Sequence, residues 1–197
     1  MRRRHFLHLS GALLTSVLLA ACASPQYLQL SPERSASVPQ TGSGQQVTVI
    51  ATDARESEVI GTRSGGNMST AQITVSSHEL IPQLQAEAER AVRDMGFTPT
   101  RDAAQGRPSI TLELAGLNYA KGGSGQPLID EARIEGVFRA IAQNKGTTYT
   151  GTYTSRRTQG YAIKPGEDAN ARMLNDLLSD GLNRAFSDPE LGRLLAR

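Results

Sequence analysis

Tryptophan is absent from this chain, cysteine occurs once, and histidine occurs three times. Each shortage removes a class of chemistry. One cysteine cannot close a disulfide within the chain, so packing alone must hold the fold. Five tyrosines and four phenylalanines are the whole aromatic stock, too few for an aromatic-lined sugar groove. A structural or catalytic zinc needs three or four protein ligands, and scattered carboxylates beside a lone histidine do not supply them. Long apolar runs are missing too, apart from one at the N-terminus.

That run is the most informative stretch of the sequence. Arg2-Arg3-Arg4 precedes an apolar segment from Phe6 to Ala21, which closes on Leu19-Ala20-Ala21-Cys22. The run is short for a membrane span and has the charge layout of an export signal. The small residues before Cys22 let a peptidase reach the backbone. The pattern resembles a bacterial lipoprotein signal, in which residues 1–21 are removed and Cys22 is acylated. Acyl chains contribute about 0.8 kcal/mol per buried methylene, so several of them hold a protein on a bilayer permanently. Ala23 and Ser24 follow the cysteine. The absence of aspartate there points to the periplasmic side of the outer membrane. Arg3-Arg4-His5-Phe6-Leu7-His8 also looks like a twin-arginine motif, and general export and twin-arginine export both stay open.

Cleavage changes the charge balance. It takes three of 21 basic residues, leaving 18 against 19 acids over 176 residues. No basic field remains for nucleic acid. His5 and His8 leave with the signal, so a Ser-His-Asp site would have to use His78. That residue sits at a predicted helix start among polar neighbours and reads as a surface or capping histidine. Glu131 and Glu135 share a strand face with Arg133 between them, a pattern of ion pairs on a solvated sheet; Glu113 lies on another strand. Paired acids for glycoside hydrolysis would need a cleft. Gly122-Gly123-Ser124-Gly125 lacks the lysine of a phosphate-binding loop and joins two strands. The sequence therefore offers no catalytic residues, no metal ligands and no cofactor site.

Residues 22–45 are rich in Ser, Pro, Gln, Gly and Thr and read as a lipidated N-terminus and flexible tether, interrupted by Tyr27-Leu28-Gln29-Leu30, which could be a short strand or docking segment. A single domain is expected over 46–197. Val47, Val49 and Ala51 alternate with polar residues as a strand, and Ala71 to Val75 is a second short candidate. Ser77 to Met95 carries a helical stripe of Leu80, Leu84, Ala88, Ala91, Val92 and Met95. Ser76 and Glu79 have capping-box spacing, Pro82 argues for a start nearer Glu79, and Gly96 ends the helix. Three long strands follow, around Leu112, Phe138 and Tyr153, turning at Gly122–Gly125 and at Asn144-Lys145-Gly146. Glu167 to Ser187 is a second helix, and Pro189 opens a short third one. The expected fold is α+β: a two-layer sandwich with a mainly antiparallel sheet and two helices on one face, in the order β-α-β-β-β-α, plus a short C-terminal helix.

This order, together with Val47-Thr48-Val49 leading to Asp53-Ala54-Arg55, Ile60-Gly61-Thr62-Arg63, the Leu80–Phe97 helix with its Met95-Gly96-Phe97 exit, and Leu112-Glu113-Leu114, resembles the YajG family of bacterial lipoproteins. The resemblance implies an outer-membrane lipoprotein without an established activity and supplies no catalytic residues. Asp53, Arg55 and Arg63 remain as a loop clamp or as a holder of an anionic ligand, since arginine forks suit carboxylate and phosphate. Arg156-Arg157 place one guanidinium on each strand face. The expected role is a non-enzymatic binding or scaffold module. Its partners would be the bilayer, through acylated Cys22, and an envelope protein or lipid. The alternatives are an accessory of lipid or envelope-component transport and a cell-wall hydrolase.

Overall fold

A computed structural model of the chain describes residues 24–63, 71–123, 125 and 128–197. Cys22, the export segment and residues 64–70 of the polar loop fall outside them. The described elements are β1 (Gln26–Tyr27), β2 (Gln46–Asp53), β3 (Val59–Thr62), β4 (Gln72–Thr74), α1 (Ser77–Asp94), β5 (Thr98–Thr100), β6 (Ser109–Gly123), β7 (Asp130–Asn144), β8 (Thr147–Tyr161), α2 (Glu167–Phe186) and α3 (Pro189–Leu195).

The 15-residue strands β6, β7 and β8 form an antiparallel meander. On the other edge of β6, β2 runs parallel to its first half, with Asp53 opposite Leu114. Farther along the same edge, β3 meets β6 with Gly61 opposite Tyr119. β5 lies outside β2, and β4 then β1 lie outside β3. The sheet is therefore mixed rather than mainly antiparallel. The cause is α1: this helical crossover carries the chain back to the end where β2 began, so β5 and β6 both run parallel to β2. The expected order of four strands also gives way to eight, because β1, β3, β4 and β5 are two to four residues long. β4 falls within the expected Ala71–Val75 candidate and β1 overlaps Tyr27–Leu30, whereas β3 and β5 are too short for alternation to reveal.

A β-bulge between Leu114 and Gly116 inserts one residue into β6. Before it, Ile110, Leu112 and Leu114 are buried; after it, Leu117 and Tyr119 are. The extra residue shifts the parity of the inward positions and keeps both halves of a long strand in one core. α1 covers β2 and β5, while α2 and α3 cover β7 and β8. Two glycines let α2 approach closely: a Cβ on Gly136 would lie 3.2 Å from Leu177, and one on Gly181 would lie 2.6 Å from Phe138.

Two local expectations are revised. α1 starts at Ser77 although Pro82 lies within it. Pro82 faces solvent, so water can serve the helix carbonyl that the missing N–H leaves unpaired. Ser76 is the N-cap but makes no side-chain capping bond; its neighbour Ser77 turns instead toward Asp53.

The stretch expected as a flexible tether is, from Gln26 onward, a strap, and Tyr27–Leu30 docks within it as a short strand and buried segment. Leu28 and Leu30 are buried in the core. The amide of Ser31 donates to Asn175 Oδ1 at 2.8 Å, that of Glu33 to Ser179 Oγ at 3.0 Å, and those of Ser35 and Ala36 to Asn183 Oδ1 at 2.9 and 2.8 Å. Arg34 donates its own amide to Glu87 of α1 at 2.8 Å and points its buried guanidinium at Asp94. The strap thus binds both helices. It ends where Thr41 and Gly42 donate to the Met95 carbonyl, at the exit of α1. Ser, Pro and Gln composition read as disorder because its side chains are polar, but its backbone groups are paired by α2 side chains.

Candidate functional site

Asp53 and Arg55 come together at the end of β2. Arg55 donates from Nε to Asp53 Oδ1 at 2.8 Å and from Nη2 to Oδ2 at 2.6 Å, a fork-on-carboxylate pair. Nη2 also donates to the Val75 carbonyl at 3.0 Å, and the Ser77 hydroxyl donates to Asp53. The Arg55 side chain is 3% exposed and that of Asp53 11%. Burial disfavours the Asp53 charge, but the bonds from Arg55 and Ser77 outweigh it and hold the carboxyl below its ordinary range. This pair ties the exit of β2 to the start of α1.

Arg63 does not join them. It follows β3, whose Gly61 lies beside Tyr119, five positions along β6 from the partner of Asp53. Its Nη1 donates to the Ser24 carbonyl at 3.5 Å. Tyr119, buried near Arg63, is pushed up to about 12 by burial and by Tyr161. Cys22, the expected lipidation site, lies outside the described residues.

The outward face of the meander carries ion pairs. Arg139 donates to Glu113 at 2.6 Å, Arg133 to Glu131 at 3.1 Å, and Arg156 pairs with Glu135. The carboxylates Glu131 and Glu135 are thus each matched to a guanidinium. Arg157 lies on the opposite strand face, 3.5 Å from Asp176 of α2. His78 is exposed and borders an open hollow with Glu79, Pro82 and Gln29.

Sequence reasoning missed one polar cluster. Asp188, the N-cap of α3, accepts from the hydroxyls of Tyr149 and Tyr153 at 2.7 and 2.6 Å and from the amide of Glu190 at 2.9 Å. Burial opposes its charge, and the two phenols outweigh that, so Asp188 sits below the usual carboxylate range. Tyr153 is pushed far up, first by burial and then by Asp188. At the other end of α3, Asn144 Nδ2 donates to the carbonyls of Leu194 and Leu195 at 3.1 and 3.3 Å. The short helix is therefore pinned to the meander at both ends. The capping Asp188-Pro189 was visible in the sequence, but its tyrosine partners lie 35 and 39 residues away.

A mixed α+β fold of three helices and an eight-stranded sheet is the class the described residues define. Residues 32–196 match the family model described as "Uncharacterized lipoprotein", and the chain belongs to that family. The chain is similar to a solved Xanthomonas campestris protein at 15% identity, covering 83% of this chain and 93% of that one, with a TM-score of 0.48. It is also similar to a minor lipoprotein of Acinetobacter baumannii (11% identity, 79% and 92% coverage, TM-score 0.35). A Neisseria meningitidis lipoprotein is a third (14% identity, 72% and 97% coverage, TM-score 0.25). No functionally curated relative matches. Among the described residues no helix is long and apolar enough to cross a membrane.

Proposed function

We propose that this protein is an envelope lipoprotein of the YajG type, acylated at Cys22, held at the periplasmic side of the outer membrane, and acting by binding rather than catalysis. The observation that carries this reading is the position of the strap. The chain is packed onto the domain from Gln26 onward, four residues after a lipobox cysteine, within a family of lipoproteins. A domain built this way is presented at a membrane surface in one orientation.

The Asp53–Arg55 pair serves it as a clamp between β2 and α1. Its Nε and Nη2 are taken by Asp53 and the Val75 carbonyl. The outward face of the meander is the binding surface in this reading. Its charges are arranged as matched pairs, and the threonines Thr150, Thr152 and Thr154 of β8 are set between them in register with β7.

Two measurements test this. Density fractionation of cell envelopes should place the chain with the outer membrane, and Cys22→Ser should release it to the soluble periplasm; equal distribution of both would contradict the anchor. A photocrosslinker at Thr152, beside Arg139, should capture one envelope component reproducibly. Release of fragments from peptidoglycan by the purified protein would overturn the non-enzymatic part.

A further inference from the structure

The strap fixes which end of the molecule meets the bilayer. β1 runs parallel to β4, with Gln26 opposite Ile73, and β4 runs antiparallel to β3, with Gln72 opposite Thr62. Gly61 in turn lies beside Tyr119. These registers place Ser24 at the end of the sheet where β6 turns into β7. Arg63 reaches the Ser24 carbonyl there, and Gln26 Nε2 reaches the Pro165 carbonyl at 3.5 Å. Two residues of chain span about 7 Å at most, so an acyl chain on Cys22 must enter the membrane close to this end.

The same end carries the large apolar side chains that the fold leaves uncovered. Asp130 and Tyr161 face each other across β7 and β8. Leu128, two residues before that pair, is 94% exposed, and Ile163, two residues after it, is 87% exposed. Tyr27 of β1 is 67% exposed. Leu128 also holds φ at +66°, a conformation uncommon for a non-glycine residue and costly for a bulky one. Leu128 and Ile163 stand exposed together at this tip, and such clusters mark interaction surfaces. The charges nearby are balanced: Lys121 pairs with Asp130 at 2.8 Å, and Lys164 is followed by Glu167 and Asp168. The surface thus suits an apolar interface rather than an anionic one.

We propose that this end of the sheet, with Leu128 and Ile163 at its tip and Tyr27 at its edge, seats in the bilayer interface beside the anchor. The domain stands on the membrane instead of swinging from a tether, with the outward face of the meander rising from it. This rests on acylation of Cys22. Interfacial residues of this kind enter the boundary between headgroups and acyl chains by several ångströms.

The test uses the full chain purified from envelopes and reconstituted in phosphatidylcholine vesicles. With Cys22 acylated, an introduced cysteine is the one free thiol. An environment-sensitive fluorophore is attached in turn at Leu128→Cys, Ile163→Cys and, at the opposite end of the sheet, Gln105→Cys. Brominated lipids should quench the first two at least about two-fold more than the third. Adding phosphatidylglycerol should leave this ratio unchanged. Water-like emission at both 128 and 163, or equal quenching at 105, overturns the seat while leaving the anchor intact. A chain that does not enter the vesicles, with Cys22 unmodified by mass, overturns the lipoprotein reading and the seat with it.

Discussion

Single residues set the stability of this domain through a few buried carboxylates. Arg55→Ala would leave Asp53 charged, largely buried and short of two bonds. Breaking a buried pair in this way costs about 3 kcal/mol, which chemical denaturation would read directly. Asp188→Ala removes a helix cap and the acceptor of two phenols, and should cost about 2 kcal/mol. Both acids, with Asp180 bonded to Ser155 and Arg184, have folded-state pKa values below 3.8. A group depressed on folding stabilises the folded state fully above its unfolded value and loses that contribution as pH falls through its folded one. Stability should therefore hold down to about pH 4.5 and fall steeply below, and Asp188→Ala should flatten that acid slope in urea melts. The Asp53–Arg55 proximity was readable because the two lie two residues apart at a strand end. The placement of Arg63 was not, since it depends on where β3 meets β6, and β3 is only four residues long. Nothing local linked Tyr149 and Tyr153 to Asp188.

At the scale of elements, the long members were legible, as were α3 and the strand within Ala71–Val75, but β3 and β5 were not. Regular apolar spacing marked α1, α2 and the three-strand meander. The parallel placement of β2 against β6 was missed because alternation reports a strand's faces and not its neighbour's direction. The strap was misread for a different reason: its ordering comes from the other partner. Asn175, Ser179 and Asn183 recur every four residues on one side of α2 and present polar atoms to the strap backbone. That polar stripe beside an apolar face was the available signal. Asn183→Ala removes the acceptor of two strap amides, so it should lower the melting temperature by about 2–6 °C. It should also speed proteolysis between Ser31 and Val38, which in the parent chain should be slow. Gly96→Ala should be worse, because Gly96 holds φ at +93° and its Cβ would lie 2.8 Å from the Gly42 carbonyl oxygen, parting the strap from the exit of α1.

At the scale of the whole molecule, the proposal joins anchor, strap and sheet in one device. In it, Cys22 holds the chain at a membrane, and the strap, docked from Gln26 onward, converts that anchor into an orientation. A free tether of some twenty residues would let the domain sample a wide volume; a docked one holds it within a few ångströms of the surface. The lipoprotein class was legible in the sequence because lipobox and charge pattern are local, and the family match agrees with it. The registers among β1, β4, β3 and β6, on which the proposed orientation rests, were not. The central claim is that Cys22 carries the anchor, and the N-terminal peptide of the protein taken from outer-membrane fractions tests it most directly. Its mass should correspond to a chain beginning at an acylated Cys22. A peptide that retains residues 1–21, or one that holds Cys22 with a free thiol, would contradict the account.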